Sequence, residues 1–432
     1  MIRFFSSIIA ALLLAVSLSG TAKTDDGASI CATLSGCTTL RPILDLDFTI
    51  SFDSRITFTR ASEGTCFNSA GTLVTFASGD PRLPCYTEIS GADNLGFTIE
   101  DGLVWHALHN RDFTNVVWVK STMTAAKDAT GLDEVANSAS TLTATGANAT
   151  ALQTVTISSA AFTYSIYVKR VTGTGDIDIT DNNGTNWTTL TGLSTTLWTR
   201  HDITRTQANP VFGVRIVTDT DAVEVDFVGL EPGAFPTSAV ATTDSTVTRA
   251  ADVPTMATSD IPGFLQSQGT VLVEFSTYIF SSGSFRHPVS IDDGGTNERY
   301  RVEINNSGGS VSFAVINGGS VEANFTNIGQ ISADTAAKVI ARWAVDDFAA
   351  VMDGGTVFTD TSGNLPTVTT IAFGIRRAGT PTYLNGSLTR VTIWNRLLSD
   401  GRLQDKTAFL DWWRGTMFAA NDNDSFMEAV GW

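Results

Sequence analysis

The chain of 432 residues carries a formal net charge of −17, has a sequence pI near 4.5, and is 42% hydrophobic. This length and hydrophobic content exclude global disorder and allow two or three domains with sizeable cores. The acidic surface excludes nucleic acid and anionic membranes as favourable partners, and leaves neutral glycans, calcium ions and other proteins.

The first residues have the pattern of an export signal. Arg3 precedes an apolar run over 8–18, and Gly20 and Ala22 supply the small residues of a cleavage site. We therefore predict a signal peptide over 1–22, with an uncleaved apolar N-terminus as the alternative. A polar linker over 23–43 follows it.

Four cysteines lie in the first fifth of the chain: Cys31, Cys37, Cys66 and Cys85. Their even number, together with the export signal, predicts two disulfides. Proximity favours the pairs Cys31–Cys37 and Cys66–Cys85, although four cysteines allow three connectivities. Zinc is the alternative that these spacings do not favour.

From Leu44 onward, apolar and polar residues alternate with a period of two, which is typical of half-buried strands. The stretch over 56–75 is predicted to form a hairpin with Ile56 and Phe58 on its inward face. Later alternating segments are YSIYVKR (164–170), DIDIT (176–180), FGVRIVT (212–218) and AVEVDFVGL (222–230). Two turns, DNNGTN (181–186) and DTD (219–221), are predicted to join neighbouring strands as hairpins. The sequence therefore predicts an antiparallel jelly-roll sandwich over 44–250.

A second series of strands follows a segment that contains Pro254 and Pro262. Its main segments are TVLVEFSTYIF (270–280), RYRVEIN (299–305), SVSFAVI (310–316), AAKVIARWAV (336–345) and TIAFGIRR (370–377). They predict a second all-β sandwich over 251–415, which ends in a helix capped by Ser399. A polar tail over 416–432 completes the chain.

Carboxylate pairs are the candidates for catalysis, because glycosidases use two acids at close range. The pairs are Asp176 with Asp178, Glu224 with Asp226, and Asp292 with Asp293. Residues two apart on a strand share a face, but the solvated face of a sandwich is the interpretation that we favour. The chain contains no nucleophile elbow, phosphate loop or zinc-protease motif. We therefore predict no catalytic residue and no enzymatic activity.

Two turns offer chemistry for binding instead. The first contains Asp181, Asn183 and Asn186 and is followed by Trp187, whose ring could stack on a sugar while the acid and amides bind its hydroxyls.

The second turn contains Asp292, Asp293 and Asn297, whose oxygens could bind calcium, the one cofactor that the sequence suggests. For both turns an ordinary hairpin is the alternative, with Trp187 packed on the core. The tryptophans within strand patterns are predicted to lie in the core: Trp118, Trp198, Trp343 and Trp394.

The order of several short motifs in the first half resembles a known family. The motifs are TFTRAS (57–62), GTLVT (71–75), DPRL (80–83), GFTIEDG (96–102), NRDFTNVVWVKS (110–121), FTYSIYVKR (162–170), LWTRHDIT (197–204) and GAFPTSAVATTDSTVTRAADV (233–253). They resemble the N-terminal module of tail-fibre, head-fibre and other adhesion proteins of bacteriophage and prophage virions. The resemblance implies a carbohydrate-binding-module-like jelly roll.

The second half resembles concanavalin-like domains of the laminin-G type. The motifs are YRVEINNSGGSVSFAV (300–315), ARWAVDDFAAVMDGG (341–355) and LNGSLTRVTIWNRLLSDGRLQ (384–404). In such domains these pieces are structural, so the resemblance implies a fold rather than a site. Some members bind glycans, sometimes with calcium, and others are scaffolds.

Together these features lead to one functional hypothesis and two alternatives. We expect a non-catalytic fibre protein on the surface of a phage or phage-like virion, where several copies bind a host surface polysaccharide with high avidity. Its partners would be the host glycan, other virion proteins and further copies of itself. A secreted bacterial lectin is the first alternative, because an export signal is unusual for a virion protein, and a glycan-degrading enzyme is the second.

Overall fold

The structure is a computed structural model that describes residues 41–278, 285–305, 308–377 and 379–408. Within these ranges the chain consists of antiparallel sheets and one short C-terminal helix, which confirms the predicted all-β fold class. The predicted signal peptide, the pair Cys31–Cys37 and the tail over 416–432 lie outside the described residues. None of the described helices is long and apolar enough to cross a membrane.

The bounds of the elements follow the chain from Leu44 to Thr407. In the first half the strands are β1 (Leu44–Asp47), β2 (Thr57–Thr59), β3 (Gly64–Phe67), β4 (Leu73–Phe76), β5 (Cys85–Tyr86), β6 (Asn94–Ile99), β7 (Leu103–Trp105), β8 (Val119–Ser121), β9 (Met123–Ala129), β10 (Ala139–Ala144), β11 (Ala149–Thr154), β12 (Ala160–Thr172), β13 (Ile177–Thr180), β14 (Thr188–Thr189), β15 (Thr199–Gln207), β16 (Val211–Ile216) and β17 (Ala222–Pro232). In the second half they are β18 (Val247–Arg249), β19 (Val253–Ala257), β20 (Gln268–Thr277), β21 (Arg286–Asp292), β22 (Arg299–Ile304), β23 (Ser310–Asn317), β24 (Ser320–Gln330), β25 (Ala337–Ala344), β26 (Asp347–Met352), β27 (Phe358–Asp360), β28 (Thr370–Phe373), β29 (Ile375–Arg376), β30 (Thr382–Tyr383) and β31 (Gly386–Trp394). A 3-10 turn covers Thr258–Asp260, and helix α1 covers Asp400–Thr407.

Two five-stranded sheets form a small sandwich. One sheet has the order β15-β12-β17-β10-β9 and the other has the order β14-β13-β16-β11-β8. Their facing side chains form a hydrophobic core that includes Tyr164, Ile166, Phe212, Val214 and Val225. Alternate residues of each strand point into this core, as the period of two predicts.

A ten-stranded and a seven-stranded sheet form a large sandwich. The ten-stranded sheet has the order β27-β26-β25-β20-β31-β6-β5-β3-β4, with β1 also paired to β31, and the seven-stranded sheet has the order β2-β19-β28-β21-β22-β23-β24. Early residues such as Leu44 and Phe97 share a core with Val273, Phe313 and Val391. The strands of the small sandwich therefore lie between two sections of chain that build the large one. The predicted limits of 44–250 and 251–415 stay a prediction.

One predicted hairpin is wrong. The turn DTD (219–221) does not pair its flanking strands, because β16 pairs with β11 and β13 while β17 pairs with β10 and β12. Both edges of β16 are already occupied, so the chain crosses to the other sheet instead. The turn over 181–186 does connect an antiparallel pair, β13 and β14, as predicted.

The predicted hairpin near the start forms over 64–76 rather than over 56–75, because β2, which contains Phe58, pairs with β19 of the seven-stranded sheet. Strands β3 and β4 pair from Gly64 opposite Phe76, and their turn is closed by Asn68, whose side-chain oxygen accepts hydrogen bonds from the N–H groups of Ala70 and Thr72 at 2.9 and 3.0 Å. Preceding it, Ile56 is buried and Phe58 is partly buried against the large core. The disulfide Cys66–Cys85 is present and ties β3 to β5.

A buried ionic network joins four of the motifs that carry the first resemblance. We call Arg60, Arg82, Glu100, Arg249 and Asp252 the junction network, because the side chains of all five are fully buried. Arg60 Nη1 lies 3.1 Å from Asp252 Oδ1, Arg249 Nη1 lies 3.3 Å from Glu100 Oε2, and Arg82 donates to both carboxylates. Burial alone would raise the pKa of Glu100, but the charges of Arg249 and Arg82 lower it to about 2. The motifs over 57–62, 80–83, 96–102 and 233–253 therefore have a structural role in this network.

Candidate functional site

A cleft of about 630 Å³ lies between the small sandwich and the large one. Its buried lining has an apolar part, the Cys66–Cys85 disulfide with Phe67, Leu73, Phe235 and Ala239, and a polar part, the threonines Thr65, Thr98 and Thr237. Two half-buried tyrosines, Tyr86 and Tyr278, add aromatic rings with hydroxyl groups. We call this feature the junction cleft.

The exposed part of the lining is acidic. Carboxylates of Glu88, Asp93, Asp202 and Asp334 face solvent around the junction cleft. Among the described residues that line it, Arg200 is the one basic side chain. The pKa of Asp334 is raised, first because the surrounding protein removes part of its solvation and then because of the negative charge of Glu88. The cleft therefore has an excess of negative charge and opposes an anionic ligand.

An ion pair connects two walls of the cleft. Arg200 Nη1 lies 2.9 Å from Glu88 Oε1, and the Tyr167 hydroxyl donates to the same oxygen at 3.2 Å. The guanidinium of Arg200 lies over the Tyr167 ring, 5.1 Å from its centroid, and donates to the backbone oxygen of Thr237. Because one side chain contacts three segments, the walls are held at a fixed separation.

A buried acid lies next to Thr237, which lines the cleft. Glu231 is fully buried, and its carboxylate accepts hydrogen bonds from the backbone N–H of Thr237, at 2.9 Å, and from the Thr237 hydroxyl. Burial raises the pKa of Glu231 to about 7, although Thr237 and the charge of Arg200 oppose the shift. This acid therefore changes its charge near neutral pH, beside a segment that lines the cleft.

The turn that carries Glu88 has a strained backbone. Ile89 has a φ of 65°, which a β-branched residue rarely adopts. A Cβ on Gly71 would lie 1.8 Å from the carbonyl oxygen of Ile89, and a Cβ on Gly91 would lie 2.5 Å from that of Ser69. The two turns therefore touch backbone to backbone, which requires glycine and fixes the position of Glu88.

A shallow depression of about 500 Å³ adjoins the cleft and shares Glu88 and Arg200 with it. Its aromatic residue is Trp198, which is half-buried, with Lys169 Nζ 4.9 Å from its ring centroid. Leu197 beside it is 58% exposed. The prediction that Trp198 belongs to the core therefore holds only in part, whereas Trp118, Trp343 and Trp394 are buried as predicted.

The predicted sugar-binding turn does not expose all four of its candidate side chains. Asn183 and Asn186 are exposed, but Asp181 is buried, with its Oδ1 2.8 Å from Arg205 Nε. Trp187 is half-buried, and the guanidinium of Arg215 lies 4.4 Å from its ring centroid. One face of the ring is thus covered by the protein itself. Sugar binding at this turn stays a prediction.

In the predicted calcium turn, the carboxylate of Asp292 already accepts hydrogen bonds from other residues of the chain. Asp292 is buried, and its Oδ1 accepts from Arg377 Nη2 and from the N–H of Gly294, both at 2.8 Å, while its Oδ2 accepts from the Ser290 hydroxyl at 2.9 Å. Asp293 and Asn297 are exposed. In the part of the chain that the structure describes, no group of three or more His, Cys, Asp or Glu side chains could hold a metal ion. Calcium binding at this turn stays a prediction.

The predicted acid pairs are bound to basic side chains. Asp178 is paired with Arg215, Glu224 with Lys169 at 2.6 Å, and Asp226 with Arg111 at 2.7 Å. Asp176 is exposed beyond the start of β13. These carboxylates therefore serve the small sandwich as ion-pair partners.

Sequence reasoning missed the junction cleft. Its lining comes from five separate segments, near residues 65–98, 200–202, 235–239, 276–278 and 334. No local motif marks such a site, since only the folded chain brings these segments together. The predicted disulfide was the one usable signal, because it fixes two lining residues.

Comparisons with known proteins give limited similarity. No protein-family model and no curated protein matches the chain. Among solved structures, the Ruminococcus gnavus IT-sialidase carbohydrate-binding module CBM40, bound to α2,3-sialyllactose, is 18% identical with a TM-score of 0.30, over 34% of this chain and 85% of that chain. A leech intramolecular trans-sialidase is 13% identical with a TM-score of 0.27, over 34% of this chain and 24% of that chain. A SAP-like pentraxin from Limulus polyphemus is 14% identical with a TM-score of 0.26, over 34% of this chain and 74% of that chain. These values are too low to assign a ligand to this chain.

Proposed function

We propose that the protein is a non-catalytic, fibre-type surface protein of a phage or phage-like particle, and that it binds a host surface polysaccharide in the junction cleft. The observation that supports this proposal most is the lining of the cleft. It combines the aromatic rings of Tyr86 and Tyr278 with exposed carboxylates and hydroxyls. Its volume of about 630 Å³ falls within the range of small-ligand sites.

This lining suits a sugar for a simple physical reason. An aromatic ring packs on the C–H face of a sugar, and neighbouring oxygens hydrogen-bond its hydroxyls. The negative charge of Glu88, Asp93, Asp202 and Asp334 disfavours sialic and uronic acids. The ligand class is therefore a neutral or amino-sugar polysaccharide.

Glycan-array binding, followed by titration calorimetry with the best neutral hit, tests the site. Tyr86→Ala should weaken binding by about tenfold, since it removes one stacking surface. Trp187→Ala is the matched control, because it removes the aromatic residue of the other candidate turn, and it should change the affinity by less than about twofold. A loss of binding with Trp187→Ala alone would place the site in that turn and contradict the proposal.

The placement on a virion is a separate part of the proposal. It is supported by the order of motifs over 57–253, and several copies on one particle would multiply a weak affinity. A secreted lectin would have the same binding chemistry. Mass spectrometry of purified particles separates the two, since only a virion protein copurifies with them, and it also reports whether residues 1–22 remain. Release of reducing ends from the bound glycan would overturn the non-catalytic assignment.

A further inference from the structure

Four arginines cluster on the outer face of the large sandwich, although the chain as a whole is strongly acidic. On β22, Tyr300 and Val302 point into the core, so Arg299, Arg301 and Glu303 lie on the opposite face. The neighbouring strand β21 places Asp292 opposite Arg299. We call Arg299, Arg301, Arg376 and Arg377 the arginine cluster.

Strand β29 and the residue after it complete the cluster. Arg377 Nη2 lies 2.8 Å from Asp292 Oδ1, which ties this segment to the end of β21. His287 on β21 is fully buried, and its Nδ1 is 2.8 Å from the Thr382 hydroxyl of β30. The segments around β21, β22 and β29 therefore bring four guanidinium groups to one surface.

The positive charges outnumber their partners. Asp292 pairs with Arg377, and Glu303 Oε2 lies 3.2 Å from Arg301 Nε. Among the described residues, Arg299 and Arg376 form no ion pair with a carboxylate, and Arg376 donates only to the backbone oxygen of Thr380, at 2.8 Å. Within the described ranges, two guanidinium groups thus form no ion pair, although the charges of Glu303 and Asp292 act on Arg299.

Several nitrogens of the cluster are buried without a hydrogen-bond partner. They include Nε and Nη1 of Arg299 and Nε of Arg376. Beside the cluster, Nε2 of the fully buried His287 lies 3.6 Å from Glu303 Oε2. The pKa of Arg299 is lowered, first by burial and then by the charges of Arg301 and Arg376, although the charges of Glu303 and Asp292 oppose the shift. An unpartnered buried donor destabilises a fold, and like charges at close range repel. A bound anion would accept hydrogen bonds from these donors and would offset the repulsion between the guanidinium groups.

We propose that the arginine cluster binds an oxyanion, the sulfate or carboxylate group of a polysaccharide or the free ion. Guanidinium groups present paired donors in one plane, which match two oxygens of such a group. Arg299 and Arg376 provide the charge, because the other two arginines already have carboxylate partners. The site is separate from the junction cleft, whose acidic lining excludes the same ligands.

Titration calorimetry with a short heparin-derived oligosaccharide tests this proposal. The double variant Arg299→Gln/Arg376→Gln should bind at least about tenfold more weakly than the wild type. Arg55→Gln removes the same charge from a partly exposed arginine paired with Asp53, and it should change the affinity by less than about twofold. An uncharged oligosaccharide of the same length should not respond to the double variant.

Competition with inorganic sulfate distinguishes the two sources of the oxyanion. Displacement by sulfate indicates a site for the free ion, and the absence of displacement indicates a group held within a polysaccharide. Thermal unfolding must show that the variants are folded, and the single Arg376→Gln variant gives the test if the double variant is not. Wild-type protein that fails to bind the probe, or equal weakening by Arg55→Gln, overturns the proposal.

Discussion

The junction network and the arginine cluster contain similar side chains but differ in how many of their arginines form an ion pair. In the junction network, Arg60, Arg82 and Arg249 are fully buried and each contacts Glu100 or Asp252. In the arginine cluster, Arg299 and Arg376 have no carboxylate partner among the described residues. The junction network thus has three guanidinium groups for two carboxylates and each group contacts one of them, whereas the arginine cluster has four for two and, in the described part of the chain, leaves two guanidinium groups without an ion pair. A guanidinium group without an ion pair keeps the capacity to bind an anionic ligand.

Substitution of Arg82 is expected to have the largest effect on the free energy of unfolding. Arg82→Gln leaves Glu100 and Asp252 buried with fewer donors, which should lower the free energy of unfolding by about 3–5 kcal/mol. Chemical denaturation measures the change, and Arg55→Gln, in a partly exposed pair, should cost less than about 1 kcal/mol. Equal losses for the two variants would show that the junction network is not what holds this region together.

The disulfide reinforces the same region and has no counterpart in the arginine cluster. Cys66 and Cys85 are 19 residues apart, and releasing a loop of this length should lower the free energy of unfolding by about 3 kcal/mol. Denaturation of Cys66→Ala/Cys85→Ala measures the loss. The variant should also bind the sugar more weakly, because the disulfide lines the cleft; full binding by the variant would mean that the disulfide does not shape the site.

Two buried glutamates extend the comparison to the pH dependence of stability. The pKa of Glu100 is lowered to about 2 by its arginines, whereas burial raises that of Glu231 to about 7 from 4.5. A raised pKa in the folded state favours folding at low pH, so stability should fall by about 3 kcal/mol as the pH rises from about 4.5 to about 7. Stabilisation by Glu100 is present above about 4.5 and is lost only as the pH falls towards 2.

Glu231→Gln should remove most of the fall in stability between pH 5 and pH 8, because glutamine does not titrate. Unfolding by denaturant at both pH values, for the variant and the wild type, measures the difference. Since titration of the rest of the acidic chain affects both proteins alike, the same slope in both would rule out a raised pKa for Glu231.

The smallest expected effect is the loss of Arg299. Arg299→Gln removes a charge that Arg301 and Arg376 repel, so the free energy of unfolding should change by less than about 0.5 kcal/mol or should rise. Comparison with Arg82→Gln in one denaturation series provides the control. A loss as large as that of Arg82→Gln would show that Arg299 is a structural residue with a partner that we have not identified.

Local sequence patterns predicted the parts of the fold that depend on neighbouring residues. The alternation in AVEVDFVGL predicts strand β17, and the closeness of Cys66 to Cys85 predicts their disulfide. The turn over 219–221 was misread, because pairing across a sheet depends on distant strands and not on the turn itself. Ser399 does precede α1, but its side chain makes no capping hydrogen bond.

The candidate site was less predictable for the same reason. The residues of the turn over 181–186 have suitable chemistry, but only the fold shows that Asp181 turns inward to Arg205. The cleft is assembled from segments up to about 270 residues apart, since Thr65 and Asp334 both line it. Alternation in RYRVE places Arg299 and Arg301 on one face, yet nothing local indicates that Arg376 joins them.

The most direct test of sugar binding in the junction cleft is a crystal structure of the protein with the best neutral oligosaccharide from the array. We predict electron density for a sugar ring against Tyr86 or Tyr278, with its hydroxyls near Glu88 and Asp202. Density at the turn that carries Trp187, with an empty cleft, would contradict the account.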